Sequence, residues 1–255
     1  MQITTLYVGT SLLAPLKQAE GDIGRRHGLA LRVAAHNLGA PLEDEGWAEA
    51  ERDLAGSDIV FVIHVTDGEN AAWLLPLLRK YEARHRAVVV INCMPELMRR
   101  TRMGRLSFGG AGGVEGEGRG RKSGARARRL LKTVGSWMGE HARARGAGRG
   151  SKHTQYLRLV ERMPALLRFV PGAGRLGDVK HYLYLFCYFL QPTPANVSSM
   201  LLYALKHYGG DARLAKAEVP PPESVPAVGC YHPDAGSTFE SFEAYRRWHD
   251  ARARR

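Results

Sequence analysis

Two short apolar runs constrain the fold of this chain more than any other feature. Residues 59–63 read IVFVI and residues 88–91 read VVVI, so the apolar side chains are continuous rather than alternating. A strand has this pattern when both of its faces are buried, as in a parallel sheet covered by helices. Similar runs predict strands at 3–9, 30–35, 58–65 and 87–92, with helices between them at 12–27, 42–55 and 70–85.

The helix predicted at 70–85 carries one apolar stripe and one proline. Pro76 should kink this helix or end it early. The stripe consists of Trp73, Leu74, Leu77, Leu78 and Tyr81. Together these patterns predict an α/β fold: a parallel, Rossmann- or flavodoxin-like sheet with helices on both faces.

A helical annex is predicted after residue 150, with helices at 154–170, 179–190 and 194–208. Thr193 before Pro194 is a favourable N-cap, and Gly209 is a favourable residue after the last turn. The middle helix is apolar nearly all round, which indicates burial. Its aromatic side chains could form a wall for a flat ligand, but a buried core is the commoner role. They are Tyr182, Tyr184, Phe186, Tyr188 and Phe189.

The positive charge of the chain is concentrated in one segment. The 255 residues carry a formal net charge of +12, and residues 99–150 alone hold 14 Lys and Arg against three acids, with 14 of the 29 glycines. Such a composition predicts a flexible, solvated insertion. Polyanion or nucleic-acid binding through this arm is the alternative, because clustered arginines bind phosphates by counterion release. The glycine spacing fits neither a P-loop nor a dinucleotide fingerprint.

These patterns divide the chain into four parts. We expect a sheet domain at 1–108, the insertion at 109–150, the annex packed on the sheet at 151–210, and a proline-rich linker with a terminal helix, predicted at 239–252, in 211–255. Cys93, Cys187 and Cys230 form no pair or cluster, which predicts neither disulfides nor a structural zinc site. With no signal-peptide pattern and no apolar stretch long enough to span a membrane, we expect a cytoplasmic location.

Candidate site residues follow two neighbouring strands. Ligands of open parallel sheets bind at the carboxyl ends of the strands. The first loop holds His64, Thr66, Asp67 and Glu69, and the second holds Asn92, Met94 and Glu96. They could contact a bound ligand, a metal ion or a partner. A simpler explanation is a turn at Asp67 and a helix start that favours Glu69.

Two other titratable residues, His232 and Cys93, are weaker candidates for a functional role. His232 could serve as an axial ligand, but its position before Pro233 is explained equally well by a turn. Cys93 follows a central strand, where a buried inert thiol is expected rather than a nucleophile. No catalytic triad, metalloprotease motif or paired-carboxylate spacing is present, so no catalytic residue and no metal ligand is assigned.

Three blocks of residues, in order along the chain, resemble motifs of one known family. Residues 91–99 (INCMPELMR) and 103–108 (MGRLSF) are similar to the family's Met-Pro-Glu-x-Met-Arg and Leu-Gly-x-Phe stretch. Residues 163–171 (MPALLRFVP), followed by 192–197 (PTPANV), resemble a second block, although the family's Gly-Gly-Ser-Pro is QPTP here. Residues 228–233 (VGCYHP) are like the family's Gly-x-Tyr-His-Pro. Taken together, the three blocks resemble the N-terminal part of the porphyrin-binding large subunit of magnesium chelatase and the related cobaltochelatase subunit.

The resemblance implies an N-terminal module of a chelatase large subunit, acting in tetrapyrrole binding or chelatase assembly in chlorophyll- or cobalamin-type biosynthesis. In that family protoporphyrin is bound by the large subunit, while a separate motor of two other subunits uses ATP and Mg²⁺. The implied ligand is therefore protoporphyrin IX. The implied partners are the remainder of the large subunit, or a second polypeptide supplying it, and the motor subunits. On this reading the chain belongs to a metal chelatase but is not catalytic alone, and nucleic acid is not its expected partner.

Overall fold

The computed structural model describes residues 1–9, 12–109, 167, 173–223, 229–232, 235 and 239–253. The predicted insertion at 109–150 and the predicted helix at 154–170 lie outside the described residues, apart from Gly109 and Leu167. The strands are β1 (Gln2–Tyr7), β2 (Arg32–Asn37), β3 (Ile59–Ile63), β4 (Ala87–Ile91), β5 (Arg102–Met103) and β6 (Leu106–Ser107). The helices are α1 (Leu13–His27), α2 (Asp44–Gly56), α3 (Gly68–Lys80), α4 (Pro95–Met98), α5 (Gly174–Leu190), α6 (Pro194–Tyr208) and α7 (Phe242–Ala253).

The six strands form one mixed sheet in the order β2-β1-β3-β4-β5-β6. The first four strands are parallel, as expected. The prediction of a parallel sheet holds for these four strands only, because β5 and β6 continue the sheet in antiparallel fashion. These strands have two residues each, too few for an apolar period to be visible. Gly104, with φ of 54°, lies in the turn between them.

Alternate residues of the sheet enter two separate cores. Ile59, Phe61 and Ile63 face α1, α5 and α6, whereas Val60 and Val62 face α2 and α3. All five side chains are fully buried. The prediction that the continuous apolar runs are central strands buried on both faces is therefore confirmed, and so is the placement of helices on both faces.

Helices α5 and α6 complete one face of the sheet rather than forming a separate unit. Helix α6 packs against α1, α5 and β3. Tyr182 of α5 is fully buried, and its hydroxyl donates a hydrogen bond of 2.9 Å to the Val90 carbonyl oxygen of β4. The buried side chains of α5 also include Phe186 and Tyr188. The sheet and these two helices thus share one core.

The ends of two helices differ in detail from the sequence expectations. Helix α3 runs through Pro76 and ends at Lys80, five residues before the predicted end. Thr193 caps α6 as predicted, accepting a hydrogen bond from the Asn196 backbone N–H. At the other end of α6, Gly209 keeps right-handed helical dihedrals, and Gly210 adopts the left-handed conformation, with φ of 74°.

Asn196, in the first turn of α6, ties this helix to the following segment. Its side chain is buried and donates hydrogen bonds to the carbonyl oxygens of Gln191 (2.8 Å) and Glu223 (2.9 Å). Its Oδ1 accepts a third from the Glu223 N–H, at 2.8 Å. The Tyr188 hydroxyl donates to the Pro220 carbonyl nearby. The asparagine of the second family-like block therefore has a structural role.

Candidate functional site

Two strained residues lie side by side at the carboxyl edge of the sheet. Among the described residues, His64 (φ 63°) and Asn92 (φ 53°) are the non-glycine residues with positive φ. They follow the neighbouring parallel strands β3 and β4, and the His64 N–H donates to the Ile91 carbonyl oxygen. Such a backbone conformation costs of order 1 kcal/mol per residue and is concentrated at functional sites.

A hydrogen bond fixes the His64 ring. The side-chain amide of Asn92 donates to His64 Nδ1 over 2.9 Å, so a neutral imidazole carries its proton on Nε2. The ring of Phe189, on α5, lies 6.3 Å from the imidazole between ring centres. The structure therefore brings together two of the predicted site residues, one from each predicted loop, beside an aromatic ring of the annex.

Cys93, next to Asn92, is held by backbone groups. Its sulfur accepts from the Val65 N–H at 3.3 Å and lies 3.4 Å from the Val62 carbonyl oxygen, to which the thiol can donate. Burial raises the pKa of this thiol to about 12. The thiol is therefore protonated at neutral pH, which agrees with the inert structural role expected from the sequence.

A groove opens on the other side of the same edge, between the loops that follow β1, β2 and β3. It has a volume of about 440 Å³. The strand order reverses between β1 and β3, and open α/β sheets bind ligands at such a switch point. Trp47 and Trp73 stack in the groove, with ring centres 5.5 Å apart and planes 17° apart. Asp67 and Glu69 also line it.

Asp67 caps the N-terminus of α3 at this groove. Its Oδ1 accepts from the Asn70 backbone N–H (2.8 Å) and its Oδ2 from the Asn70 side chain (3.0 Å). Partial burial opposes ionisation, but these hydrogen bonds prevail and lower the pKa of Asp67. Asn70 also donates to the Leu38 carbonyl oxygen, which links the loops after β2 and β3. The turn and cap explanation for Asp67 thus agrees with its contacts.

The remaining candidate residues are dispersed. Thr66 is exposed, and Glu96 is exposed in the first turn of the four-residue helix α4. Met94 packs against the α2–α3 core, and its N–H donates to the Val65 carbonyl oxygen. The seven candidates therefore do not form one cluster: one pair lies at the strained edge, and two acids line the groove.

Sequence reasoning missed the aromatic wall of the groove. Trp73 was expected on the buried stripe of α3, but half of its surface (50%) is exposed. Its ring instead covers Trp47 of α2, which is almost fully buried. A tryptophan at the edge of an apolar stripe, following an Asp-Gly helix start, is the signal that could have indicated it.

A second polar cluster joins α5 and α6 to the β5–β6 turn. His181 Nδ1 donates to the Tyr208 hydroxyl (3.0 Å), which donates to Asp178 Oδ1 (2.8 Å). Asp178 Oδ2 accepts from the Arg105 N–H at 2.7 Å. The ring of His207 stacks on His181 with a centroid distance of 3.9 Å. Burial, then the Lys180 charge, lowers the pKa of His181 to about 4.

The low pKa of His181 predicts that stability falls as the pH is lowered. The unfolded state binds its proton near pH 6.5 and the folded state only near pH 4, so stability rises with pH across this window. Between pH 5 and pH 7 we expect a loss of about 1 kcal/mol on acidification, after allowance for solvent screening. Urea unfolding at both pH values measures it.

The His181→Asn variant is the control for this prediction. Its amide can still donate to the Tyr208 hydroxyl, but it does not titrate. The variant should lose a clear part of the pH dependence. An unchanged difference between pH 5 and pH 7 in this variant would show that His181 is not responsible.

The described residues offer neither a metal cluster nor a membrane-spanning helix. They contain no group of three or more His, Cys, Asp or Glu side chains arranged to hold a metal ion. His232 packs against Trp248 of α7, with 5.1 Å between ring centres. None of the helices in this part of the chain is both long enough and apolar enough to cross a bilayer.

The structure is that of an α/β protein with an open, mostly parallel sheet. Its groove lies at the switch point of the strand order, where such sheets bind ligands. The family described as domain of unknown function DUF3479 matches residues 3–183. The family CobN/Magnesium Chelatase matches residues 186–255. The chain belongs to the DUF3479 family and continues directly into a CobN/magnesium chelatase segment.

Curated proteins similar to this chain also come from magnesium chelatase. The chain is 26% identical over 200 residues to the magnesium-chelatase H subunit of Chlorobaculum parvum, covering 78% of this chain and 14% of the relative. It is 25% identical over 207 residues to the magnesium-chelatase H subunit of Cereibacter sphaeroides, covering 80% and 15%. The chain thus spans about a seventh of the length of these relatives. The resemblance drawn from the three sequence blocks is confirmed.

Proposed function

We propose that this chain is the N-terminal module of a chelatase large subunit and acts in tetrapyrrole binding or in assembly of the chelatase. The relatives named as H subunits of magnesium chelatase support this proposal. In this role the chain contributes a surface and does not catalyse metal insertion alone. The polyanion-binding alternative has no support from the comparisons.

The observation that carries the proposal is the strained pair at the carboxyl edge. His64 and Asn92 belong to the segment matched by the first family, and Phe189, 6.3 Å from His64, belongs to the segment matched by the second. An imidazole of fixed tautomer beside an aromatic ring suits a flat, hydrogen-bonding ligand. A tetrapyrrole edge has this chemistry.

Several finer assignments accompany this function. The expected partners are the rest of the large subunit and the ATP-hydrolysing motor subunits, and ATP and Mg²⁺ would be used there. A cytoplasmic location fits such an assembly. The parallel order β2-β1-β3-β4 supports a flavodoxin-like arrangement for the first part of the sheet.

A visible-absorption titration with protoporphyrin IX tests the tetrapyrrole role. We expect a saturable one-to-one Soret shift that persists at high salt and after deletion of residues 109–150, because a shaped site does not depend on the arginine-rich segment. Asn92→Gly removes the amide while tolerating the positive φ, so the variant should fold. It should weaken binding about tenfold, roughly the effect of one lost hydrogen bond to the half-buried His64 ring.

Trp73→Ala is the matched control, because it alters the groove and leaves the His64 edge unchanged. A shift that disappears with salt, or with the deletion, would mean that arginines merely attract the propionates. If no shift occurs, the tetrapyrrole role is wrong and the assembly role remains. Sedimentation of the chain with the other chelatase subunits then tests assembly directly.

A further inference from the structure

The groove at the switch point has a chemistry different from that of the His64 edge. Its wall is a fixed pair of indoles: Trp47 is almost fully buried, and Trp73 lies on it with half of its surface open. A buried ring that supports an exposed ring holds the exposed face in one orientation without further loss of side-chain freedom. The open indole is therefore a preorganised platform for a planar or cationic group.

The charged side chains of the groove favour a positively charged ligand. Asp67 and Glu69 line it, and the described lining residues include no Lys, Arg or His. The hydrogen bonds from Asn70 lower the pKa of Asp67, so its charge is present throughout the neutral range. The whole chain carries +12, which makes an acidic groove a local exception. Propionates and phosphates are disfavoured here, and cations are favoured.

An indole face with carboxylates at the same groove is suited to one cation in particular. Guanidinium is planar, stacks on aromatic faces and donates two parallel hydrogen bonds to a carboxylate. An ammonium group is a strongly hydrated point charge that cannot stack. The groove volume of about 440 Å³ is larger than one such group requires, so the neighbouring chain of the ligand fits as well.

We propose that this groove binds an arginine side chain presented by a partner polypeptide. The half-exposed Trp73 makes the site a shallow groove at the sheet edge, where a free small cation would find few contacts. A polypeptide adds contacts along the rim, in the manner of an interface anchored by Trp and Arg. That the partner is a chelatase component rests on the proposed function; guanidinium recognition does not.

The test uses NMR of the indole N–H signals of the full chain, which contains four tryptophans. The probes are acetyl-Gly-Gly-Arg-Gly-Gly-amide, the same peptide with citrulline, and guanidinium chloride. We expect the arginine peptide to shift the Trp47 and Trp73 signals saturably and to leave the other two unchanged. The citrulline peptide, which is isosteric but neutral, and the guanidinium ion should each bind at least tenfold more weakly.

Two variants and a control locate the site. Trp73→Ala should weaken binding at least tenfold, followed through the Trp47 signal. Glu69→Gln should weaken it about threefold, the effect of one screened charge. Glu82→Gln removes an exposed charge after the C-terminal end of α3 and should change nothing.

Three outcomes would overturn the proposal. Equal binding of the citrulline peptide would exclude recognition of the charge. Equal binding of guanidinium chloride would show that the polypeptide around the arginine adds no contacts, which would exclude a polypeptide as the ligand. Absence of any saturable shift would exclude the site. Because the porphyrin titration reports on His64 and Asn92, on the other side of this edge, that result would leave the proposed function standing.

Discussion

Tyr182→Ala is expected to lower the free energy of unfolding by about 3–5 kcal/mol, the range for truncating a large, fully buried aromatic side chain. Tyr182 is fully buried between α5 and the sheet, and its hydroxyl donates to the Val90 carbonyl oxygen. Urea unfolding followed by circular dichroism measures the loss. A single transition should remain, because α5 and the sheet share one core.

Tyr182→Phe is the matched control for this prediction. It keeps the ring and removes only the hydroxyl, so we expect a loss of about 1 kcal/mol. If Tyr182→Ala left the sheet transition unchanged and melted only the helices, α5 and α6 would be a separate folding unit. That result would contradict the shared core.

Asn196→Ala is expected to cost about 2 kcal/mol. Three hydrogen bonds of the buried Asn196 side chain are lost, two of them to Glu223 and one to Gln191. Each buried partner left unpaired costs about 1–3 kcal/mol, and water can reach the exposed Glu223 and recover part of this. Urea unfolding measures the stability, and limited proteolysis after residue 219 reports release of the segment.

The Asn196→Asp variant separates the hydrogen bond that this side chain accepts from the two that it donates. The carboxylate can still accept from the Glu223 N–H but cannot donate to either carbonyl oxygen. We expect the variant to be destabilised and its following segment to be cleaved faster. A stability within about 0.5 kcal/mol of the parent for both variants would show that these hydrogen bonds do not hold the segment.

The sequence alone was sufficient to predict the elements that are completely buried or that begin with a clear capping motif. The runs at β3 and β4 are apolar on both faces, and the Thr193-Pro194 start of α6 is set by local capping chemistry, so these were predicted. The antiparallel β5 and β6 were not, because two-residue strands are formed by pairing with β4 rather than by their own pattern.

The geometry of the candidate site could be predicted only in part, for a related reason. Strand ends are visible in the sequence, so His64 and Asn92 could be placed at one edge. Their positive φ and mutual hydrogen bond depend on the spacing of two parallel strands. The Trp47–Trp73 stack joins two helices that the sequence does not place side by side. Contacts between distant segments are the part that periodicity cannot supply.

The continuity of helix α5 limits where this chain can be divided into parts. The two matched families meet between residues 183 and 186, inside one continuous helix that runs from residue 174 to residue 190. A division of the chain at that point would leave each piece with only part of a buried helix. The two segments recognised by sequence comparison are therefore not two independently folding units, and neither is expected to fold alone when the chain is cut inside α5.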